Sequence, residues 1–128
     1  MFELVINKNT YQFNFGMGFL KKIDPTITKA IDGVKGKVQN MGLHFAVAGI
    51  IDGDIETLID VLYRANEGFT PRLEKSEIEK HIENPDTDID GLFKEVLDFL
   101  KRANVTKKKT AELIEYVEAE KAKQTATA

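Results

Sequence analysis

Residues 2–15 alternate hydrophobic and polar positions in two runs, which is the pattern of half-buried β-strands. A polar segment, residues 7–10, separates the runs and is typical of a hairpin turn. The hydrophobic positions are Phe2, Leu4 and Ile6 in the first run, and Tyr11, Phe13 and Phe15 in the second. The sequence therefore predicts an N-terminal β-hairpin. Because a lone hairpin is marginal in water, its aromatic face must pack on helices or on another chain.

Beyond the hairpin, most hydrophobic residues recur at helical spacing. The predicted helices are a short one that stops at residues 24–25, a core helix at 41–51, a helix from 54 that Gly68 ends, a short helix from 76 to about 84, a long helix from 92 to about 104, and a last helix from 110 to about 121. Residues 26–40 are ambiguous, because Gly33 and Gly36 interrupt a helical stripe, and we expect a loop there.

These elements predict an α+β fold in which an N-terminal β-hairpin packs with four to six mostly short helices, so that the chain is predominantly helical. A length of 128 residues indicates one domain, and no internal repeat or interdomain linker is present. We assign residues 1–121 to this domain. Residues 122–128 are small and polar with nothing to bury, and we expect them to be disordered.

Three predicted helices begin with residues that are typical of N-caps. Asp54 precedes the helix that Gly68 ends, and Ser76 has the capping-box spacing to Glu79. Asp88 or Asp90 caps the long helix that follows Gly91. We therefore predict helix-capping roles for Asp54, Ser76, Asp88 and Asp90.

Residues 86–91 read Asp-Thr-Asp-Ile-Asp-Gly, which is the first half of a calcium-binding loop. Position 12 of such a loop would be Leu97, where a bidentate glutamate is needed, and position 9 would be Lys94. The pattern from Leu92 onward is already helical, which leaves too few residues to surround an ion. We interpret the three aspartates as an acidic helix start that complements the helix dipole, with no metal. A calcium-binding regulatory module built on residues 86–91 stays open as an alternative function.

The amino-acid composition excludes several further kinds of functional site. The absence of cysteine excludes disulfides, thiolate catalysis and cysteine-ligated zinc. The chain starts without a signal-like leader and has no apolar stretch of membrane-spanning length, so we expect a soluble, intracellular protein. His44 lies in an apolar run, His81 lies on a charged helix, and Ser76 is the only serine. We therefore predict a protein that is not an enzyme and binds no cofactor.

Charge is segregated along the chain, although the net charge is only −3. Residues 1–51 carry six lysines against three acidic residues, a net +3. Residues 52–100 carry five basic and fourteen acidic side chains, a net −9, and residues 101–128 carry seven basic and four acidic, a net +3. The overall sign argues against nucleic acid as the main partner. An acidic middle between basic ends suits contacts within or between copies of the chain, although a solvated acidic helical surface explains the same pattern.

Two hydrophobic groups are candidates for a partner or self-association surface. The members are Phe13, Phe15 and Phe19 around the hairpin, and Leu113, Ile114 and Val117 on the last helix. Aromatic residues in these positions usually belong to a core. In a chain of this size they are also able to form a surface for a partner.

The order and spacing of four motifs resemble the tail assembly chaperones of long-tailed, siphovirus-type bacteriophages that infect Gram-positive hosts. The motifs are Phe-x-Phe-Gly-x-Gly-Phe-Leu at 13–20, the helix 55–65 followed by Thr70-Pro71, the helical stretch 89–101, and the Lys-rich segment 105–109. The resemblance covers about residues 2–118. It implies a chaperone that binds the tape-measure protein, keeps it soluble and helps recruit tail-tube subunits.

The resemblance also implies where and with whom such a protein works. Its partners would be the tape-measure protein, the tail-tube protein, further copies of itself as a homo-oligomer, and a longer version of itself made by frameshifting. It would act in the host cytoplasm, without nucleic acid or membrane, and be absent from the mature virion. A structural virion component, such as a head–tail connector, is a further alternative.

Overall fold

A computed structural model of the chain describes residues 2–127, with side chains described for residues 2–124. The predicted N-terminal hairpin is present as β1, Phe2–Ile6, and β2, Asn9–Phe13. The strands are antiparallel, with Phe2 opposite Phe13. Asn7 and Lys8, which form the two-residue turn, have positive φ angles of 51° and 67°. Positive φ at both turn positions matches the twist of the two strands.

Six helices follow in the part of the chain that the structure describes, and a short 3-10 helix, Asp24–Thr26, comes after the first. They are α1 Met17–Ile23, α2 Gly42–Asp52, α3 Ile55–Asn66, α4 Lys75–Glu83, α5 Ile89–Arg102 and α6 Lys107–Thr127. The predicted α+β, predominantly helical fold is confirmed. The helix expected at 41–51 is α2, whose residues Val47 and Ile50 are almost completely buried.

A second hairpin occupies the segment for which a loop was expected, and that expectation was wrong. Its strands are β3, Thr28–Ala30, and β4, Val38–Asn40, paired antiparallel. Gly33 and Gly36 both have φ of +78° and form the connecting turn, which is a conformation that favours glycine. The strands are only three residues long, which is too short to show a period-two pattern.

The core lies between the first hairpin and the helices. Its completely buried side chains are Val47, Leu58, Val61, Leu62, Leu73, Ile78 and Val96. Asn66, also completely buried, links β2 to the α3–α4 connection. Its amide nitrogen donates to the Gln12 carbonyl at 3.0 Å, and its amide oxygen accepts from the Leu73 N–H at 2.7 Å and from the Arg72 guanidinium at 2.9 Å. The hairpin is therefore fixed to α3 by a satisfied polar network as well as by apolar packing.

Two aspartates lie at helix N-caps. The Asp54 carboxylate accepts a hydrogen bond from the Thr57 N–H at 3.0 Å at the start of α3. The Asp88 carboxylate accepts one from the Gly91 N–H at 2.9 Å at the start of α5. Asp90 lies inside the first turn of α5, so it complements the helix dipole and is not the cap.

Ser76 does not cap α4, which corrects the prediction for that residue. The helix begins at Lys75, and Glu74 is the N-cap residue. Glu74 and Glu77 form the capping box, in which the Glu77 carboxylate accepts from the Glu74 N–H at 3.4 Å. The spacing Glu74-x-x-Glu77 competes with Ser76-x-x-Glu79, and the box forms two residues earlier than the serine pattern predicts.

The last helix extends beyond its predicted end near Lys121, because α6 continues to Thr127. It packs against α2 and α5. The assignment of residues 1–121 to one domain remains a prediction. Residues 122–127, for which disorder was expected, belong to α6, and residue 128 lies outside the described residues. Within residues 2–127, no helix combines the length and the apolar character needed to cross a membrane.

Candidate partner-binding surfaces

Phe13, Phe15 and Phe19 are core residues, with 1%, 4% and 3% of their surface exposed. They belong to an aromatic cluster centred on Phe2, whose ring packs edge-on against Phe13 at a centroid distance of 5.3 Å and against Phe99 of α5 at 4.8 Å. The three phenylalanines therefore do not form an exposed surface, contrary to the partner-surface hypothesis. These side chains are buried because, in the folded chain, α1 and α5 cover the aromatic face of the hairpin.

A groove of about 510 Å³ lies beside the aromatic cluster. We call it the aromatic groove. The cluster residues that line it are Phe2, Phe13, Phe15 and Phe99, and its remaining walls include Arg102, Ala103, Asn104 and Val105 at the α5–α6 connection. The Arg102 guanidinium lies 4.6 Å from the centroid of the Phe99 ring. An apolar concavity with a cation beside it suits a hydrophobic anchor from a partner helix.

A second groove, of about 540 Å³, lies beside α1 and the end of α3. Its lining includes Met17, which is 54% exposed, and Phe69. Asn14 and Gly16 line both grooves, so the two depressions adjoin each other. A Cβ at position 16 would lie 2.8 Å from the Asn14 side-chain oxygen, so a larger residue there would displace the exposed Asn14 side chain.

The second hairpin forms a third candidate surface, because its side chains are exposed to solvent. Every side chain from residue 27 to residue 40 is exposed, and we call this segment the arm. Its large hydrophobic residues are Ile27, Ile31, Val34 and Val38, at 41%, 41%, 47% and 59% exposure. The arm also carries Lys29, Lys35 and Lys37 against Asp32, a net +2. The four aliphatic residues follow the spacing of a helical stripe, which explains why the sequence analysis missed this surface.

Comparison with known proteins decides the family. The family model described as "Phage tail assembly chaperone protein, TAC" matches residues 3–115. The chain belongs to the phage tail assembly chaperone family. The match extends from β1 into α6, so it includes the second hairpin, all of the first hairpin except Phe2, and the lining of the aromatic groove except Phe2. No curated protein and no solved structure matches the chain.

The hydrophobic residues predicted on the last helix of this chaperone have mixed roles. Leu113 is buried at 9% exposure and joins the core, whereas Ile114 and Val117 are half-buried. Tyr116, which the sequence analysis did not single out, is 63% exposed. The α6 residues and the three phenylalanines are therefore not one exposed patch, and only part of the α6 group is open to a partner.

The acidic motif at 86–91 is organised as a helix start. Asp88 is engaged with the Gly91 N–H, and the Asp86 N–H donates to the Asn84 side-chain oxygen at 2.9 Å. The helix α5 begins at Ile89, so the residues at position 5 and beyond of a calcium loop already belong to a helix. They are therefore not free to surround an ion as loop residues do. Among the described residues, no group of three or more His, Asp or Glu side chains is arranged to hold a metal ion.

Two ionisable groups among the described residues have shifted pKa values, and each shift comes from hydrogen bonds between side chain and neighbouring structure. The Tyr11 hydroxyl donates to the Glu77 carboxylate at 2.8 Å, which ties β2 to α4; this hydrogen bond, together with burial, raises the pKa of Tyr11 above its usual value of 10.0. Hydrogen bonds from the Thr57 hydroxyl and N–H lower the pKa of Asp54 below its usual 3.8. Each shift belongs to a contact that positions a secondary-structure element.

Proposed function

We propose that this tail assembly chaperone binds the tape-measure protein of a long-tailed phage of a Gram-positive host, keeps it soluble and helps recruit tail-tube subunits. The observation that carries the proposal is the family match over residues 3–115. The chaperone acts in the host cytoplasm, forms homo-oligomers, associates with a longer frameshifted version of itself, and leaves before the virion is complete. It does so as a binding protein without catalysis.

The aromatic groove is the proposed site for the tape-measure protein. A long protein with apolar helical faces aggregates unless those faces are covered, and a concave apolar site covers them. The groove offers Phe99 and Ala103 for apolar contact and Arg102 for a polar contact at its side. Half of the site comes from the hairpin and half from the α5–α6 connection, so a bound helix would bridge the two parts of the fold.

Co-expression with the tape-measure protein of the same phage tests this proposal. The wild-type chain should increase the soluble fraction of the tape-measure protein. Ala103→Trp, which places an indole in the groove without removing a core side chain, should reduce that fraction towards the level found without the chaperone. Ala111→Trp, an exposed α6 position outside the groove, is the matched control and should behave as wild type.

Three results would contradict the proposal. One is a tape-measure protein that is equally insoluble with and without the wild-type chain. Another is equal activity of Ala103→Trp and Ala111→Trp when both variants melt at the wild-type temperature, which would remove the aromatic groove from the mechanism. The third is detection of this chain in purified virions at the stoichiometry of a structural protein.

A further inference from the structure

The aromatic groove and the groove beside α1 are two parts of one longer depression. We call the second part, whose lining includes Met17 and Phe69, the α1 groove. Asn14 and Gly16 belong to the linings of both parts, so the two grooves meet at these residues. A partner segment that enters one groove is therefore able to continue into the other.

The length of this depression matches about two turns of an α-helix. Phe99 lines the aromatic groove and Phe19 lines the α1 groove, and their rings lie 6.4 Å and 5.1 Å from that of Phe15, centroid to centroid. The centroids of Phe99 and Phe19 are therefore at most about 12 Å apart, and residues i and i+7 of a helix advance about 10.5 Å along its axis. Apolar residues at i, i+4 and i+7 of one partner helix consequently reach both grooves.

The aromatic groove has a basic rim. Among the described residues, its lining includes Arg102 and no carboxylate. Residues 99–111 contain no acidic side chain and five basic ones, which are Lys101, Arg102, Lys107, Lys108 and Lys109. The first turn of α6 also has no acidic residue, so its lysines add to the positive end of the helix dipole instead of neutralising it. A partner that carries carboxylates beside its apolar residues complements this rim.

Arg102 is held in a position to pair with such a carboxylate. Its Nε donates to the Asp98 carbonyl at 3.3 Å, and its guanidinium lies 4.6 Å from the centroid of the Phe99 ring. Neither contact uses a hydrogen of the two terminal nitrogens, and a guanidinium binds a carboxylate with two parallel hydrogen bonds. The wall behind it is tied to α5, because the buried Thr106 hydroxyl donates to the Leu100 carbonyl at 2.7 Å. A wall that is already fixed lowers the entropic cost of binding.

We propose that the aromatic groove and the α1 groove together bind a single acidic amphipathic helix. Apolar residues at i, i+4 and i+7 of this helix occupy the two grooves, and a carboxylate beside that stripe pairs with Arg102. The inference rests on the proposed function, because it specifies which segments of the tape-measure protein the chaperone covers. Those segments are acidic amphipathic helices, and basic helices with the same apolar stripe bind more weakly.

Synthetic peptides test this specificity on the full chain, without the tape-measure protein. One fluorescein-labelled helical peptide has leucine at i, i+4 and i+7 with glutamates beside the leucines, and a matched peptide has lysine in place of every glutamate. Fluorescence anisotropy should give the glutamate peptide a dissociation constant at least about tenfold lower than that of the lysine peptide. A third peptide, of the glutamate composition but with the leucines on different faces, should bind as weakly as the lysine peptide.

Substitution of Arg102 tests the polar contact. Arg102→Glu should weaken binding of the glutamate peptide by at least about tenfold and strengthen binding of the lysine peptide. Arg102→Gln, which removes the charge without reversing it, should weaken only the glutamate peptide. Lys94→Glu is the matched control, because Lys94 is an exposed residue of the same helix that lines neither groove, and it should leave both affinities nearly unchanged.

Substitution of Met17 tests whether one helix spans both grooves. Met17 is 54% exposed and is the first residue of α1, where an acidic side chain suits the helix dipole, so Met17→Asp should fold normally. It should weaken the glutamate peptide, whereas Tyr116→Asp, at an exposed α6 position outside both grooves, should not. Two further peptides have alanine in place of the leucine at one or the other end of the stripe. One of these two should be insensitive to Met17→Asp.

Three results would overturn the inference: equal affinities for the glutamate and lysine peptides, equal effects of Arg102→Glu and Lys94→Glu, or no effect of Met17→Asp on any peptide. Thermal melting of each variant confirms that it is folded. If the wild type solubilises the tape-measure protein but does not discriminate between the peptides, the inference fails and the proposed function stands. Selective peptide binding by a chain that does not solubilise the tape-measure protein would support the inference and reject the proposed function.

Discussion

The chain contains two antiparallel hairpins with opposite relations to the rest of the molecule. In the first, Phe2, Ile6, Tyr11 and Phe13 are each at most 3% exposed, whereas every residue of the arm is exposed. The first hairpin carries aromatic side chains that α1 and α5 cover, and Asn66 and Glu77 bind it through hydrogen bonds to α3 and α4. The comparison teaches that the first hairpin is stabilised by the elements that cover it, whereas the described residues of the chain do not cover the arm.

The largest expected difference between the hairpins is in core packing. Phe13→Ala should lower the free energy of unfolding by about 3–5 kcal/mol, because it removes a buried ring and leaves a cavity beside Phe2. Val38→Ala in the arm should change the unfolding free energy of the monomer by no more than about 0.5 kcal/mol. Urea denaturation of both variants at a concentration where the chain is monomeric measures the difference. Similar losses for the two would mean that the arm is packed in solution.

The polar attachment of the first hairpin should have the next largest effect. Asn66→Ala leaves the Leu73 N–H and the Gln12 carbonyl without their buried partner, and we expect a loss on the order of 2–3 kcal/mol. Gln39→Ala, at an exposed position of β4, is the control and should be nearly neutral. Urea denaturation measures the effect: the midpoint should fall, while the slope of the unfolding free energy against urea concentration should not change. A neutral Asn66→Ala would show that apolar packing alone holds the hairpin.

Sequence patterns predicted the elements whose buried residues recur at strand or helix spacing. They failed at the arm, whose hydrophobic residues stay exposed. The alternation at residues 2–6 and the stripe that contains Leu92, Val96 and Leu100 gave the first hairpin and α5, because their neighbours are in the same chain. The arm was missed because its strands are only three residues long. Its aliphatic residues also fall at helical spacing, and sequence alone does not reveal that they stay exposed.

The candidate sites were less predictable than the fold. Phe13 and Phe15 are aromatic residues whose burial depends on side chains distant in sequence: the Phe2 ring packs against Phe13, and the Phe99 ring lies near Phe15. The aromatic groove also needs the α5–α6 connection, which has no chemical signature. The cap of α4 was placed at Ser76 when Glu74 takes the role, since two overlapping spacings fit a capping box and only the backbone path separates them.

A smaller effect should come from the hydrogen bond between the first hairpin and α4. Tyr11→Phe keeps the ring in the core and removes the hydroxyl that donates to Glu77, so we expect a loss of about 1 kcal/mol at pH 7. Glu77→Gln keeps an acceptor for the hydroxyl but changes the capping box of α4 as well, so the double variant with Tyr11→Phe is needed to isolate the bond. Additive losses would contradict a direct interaction.

The smallest expected effect is a dependence of stability on alkaline pH that belongs to the first hairpin alone. The hydrogen bond to Glu77 and burial raise the pKa of Tyr11 in the folded chain above the value of 10.0. A raised folded-state pKa means that the stabilisation is fully present below about pH 10 and is lost as the pH rises through the folded-state pKa. Difference absorbance of tyrosinate should show one group that titrates above pH 10, and Tyr11→Phe should remove it. The same substitution should flatten the decline in unfolding free energy above pH 10, and an unchanged decline would assign it to other groups.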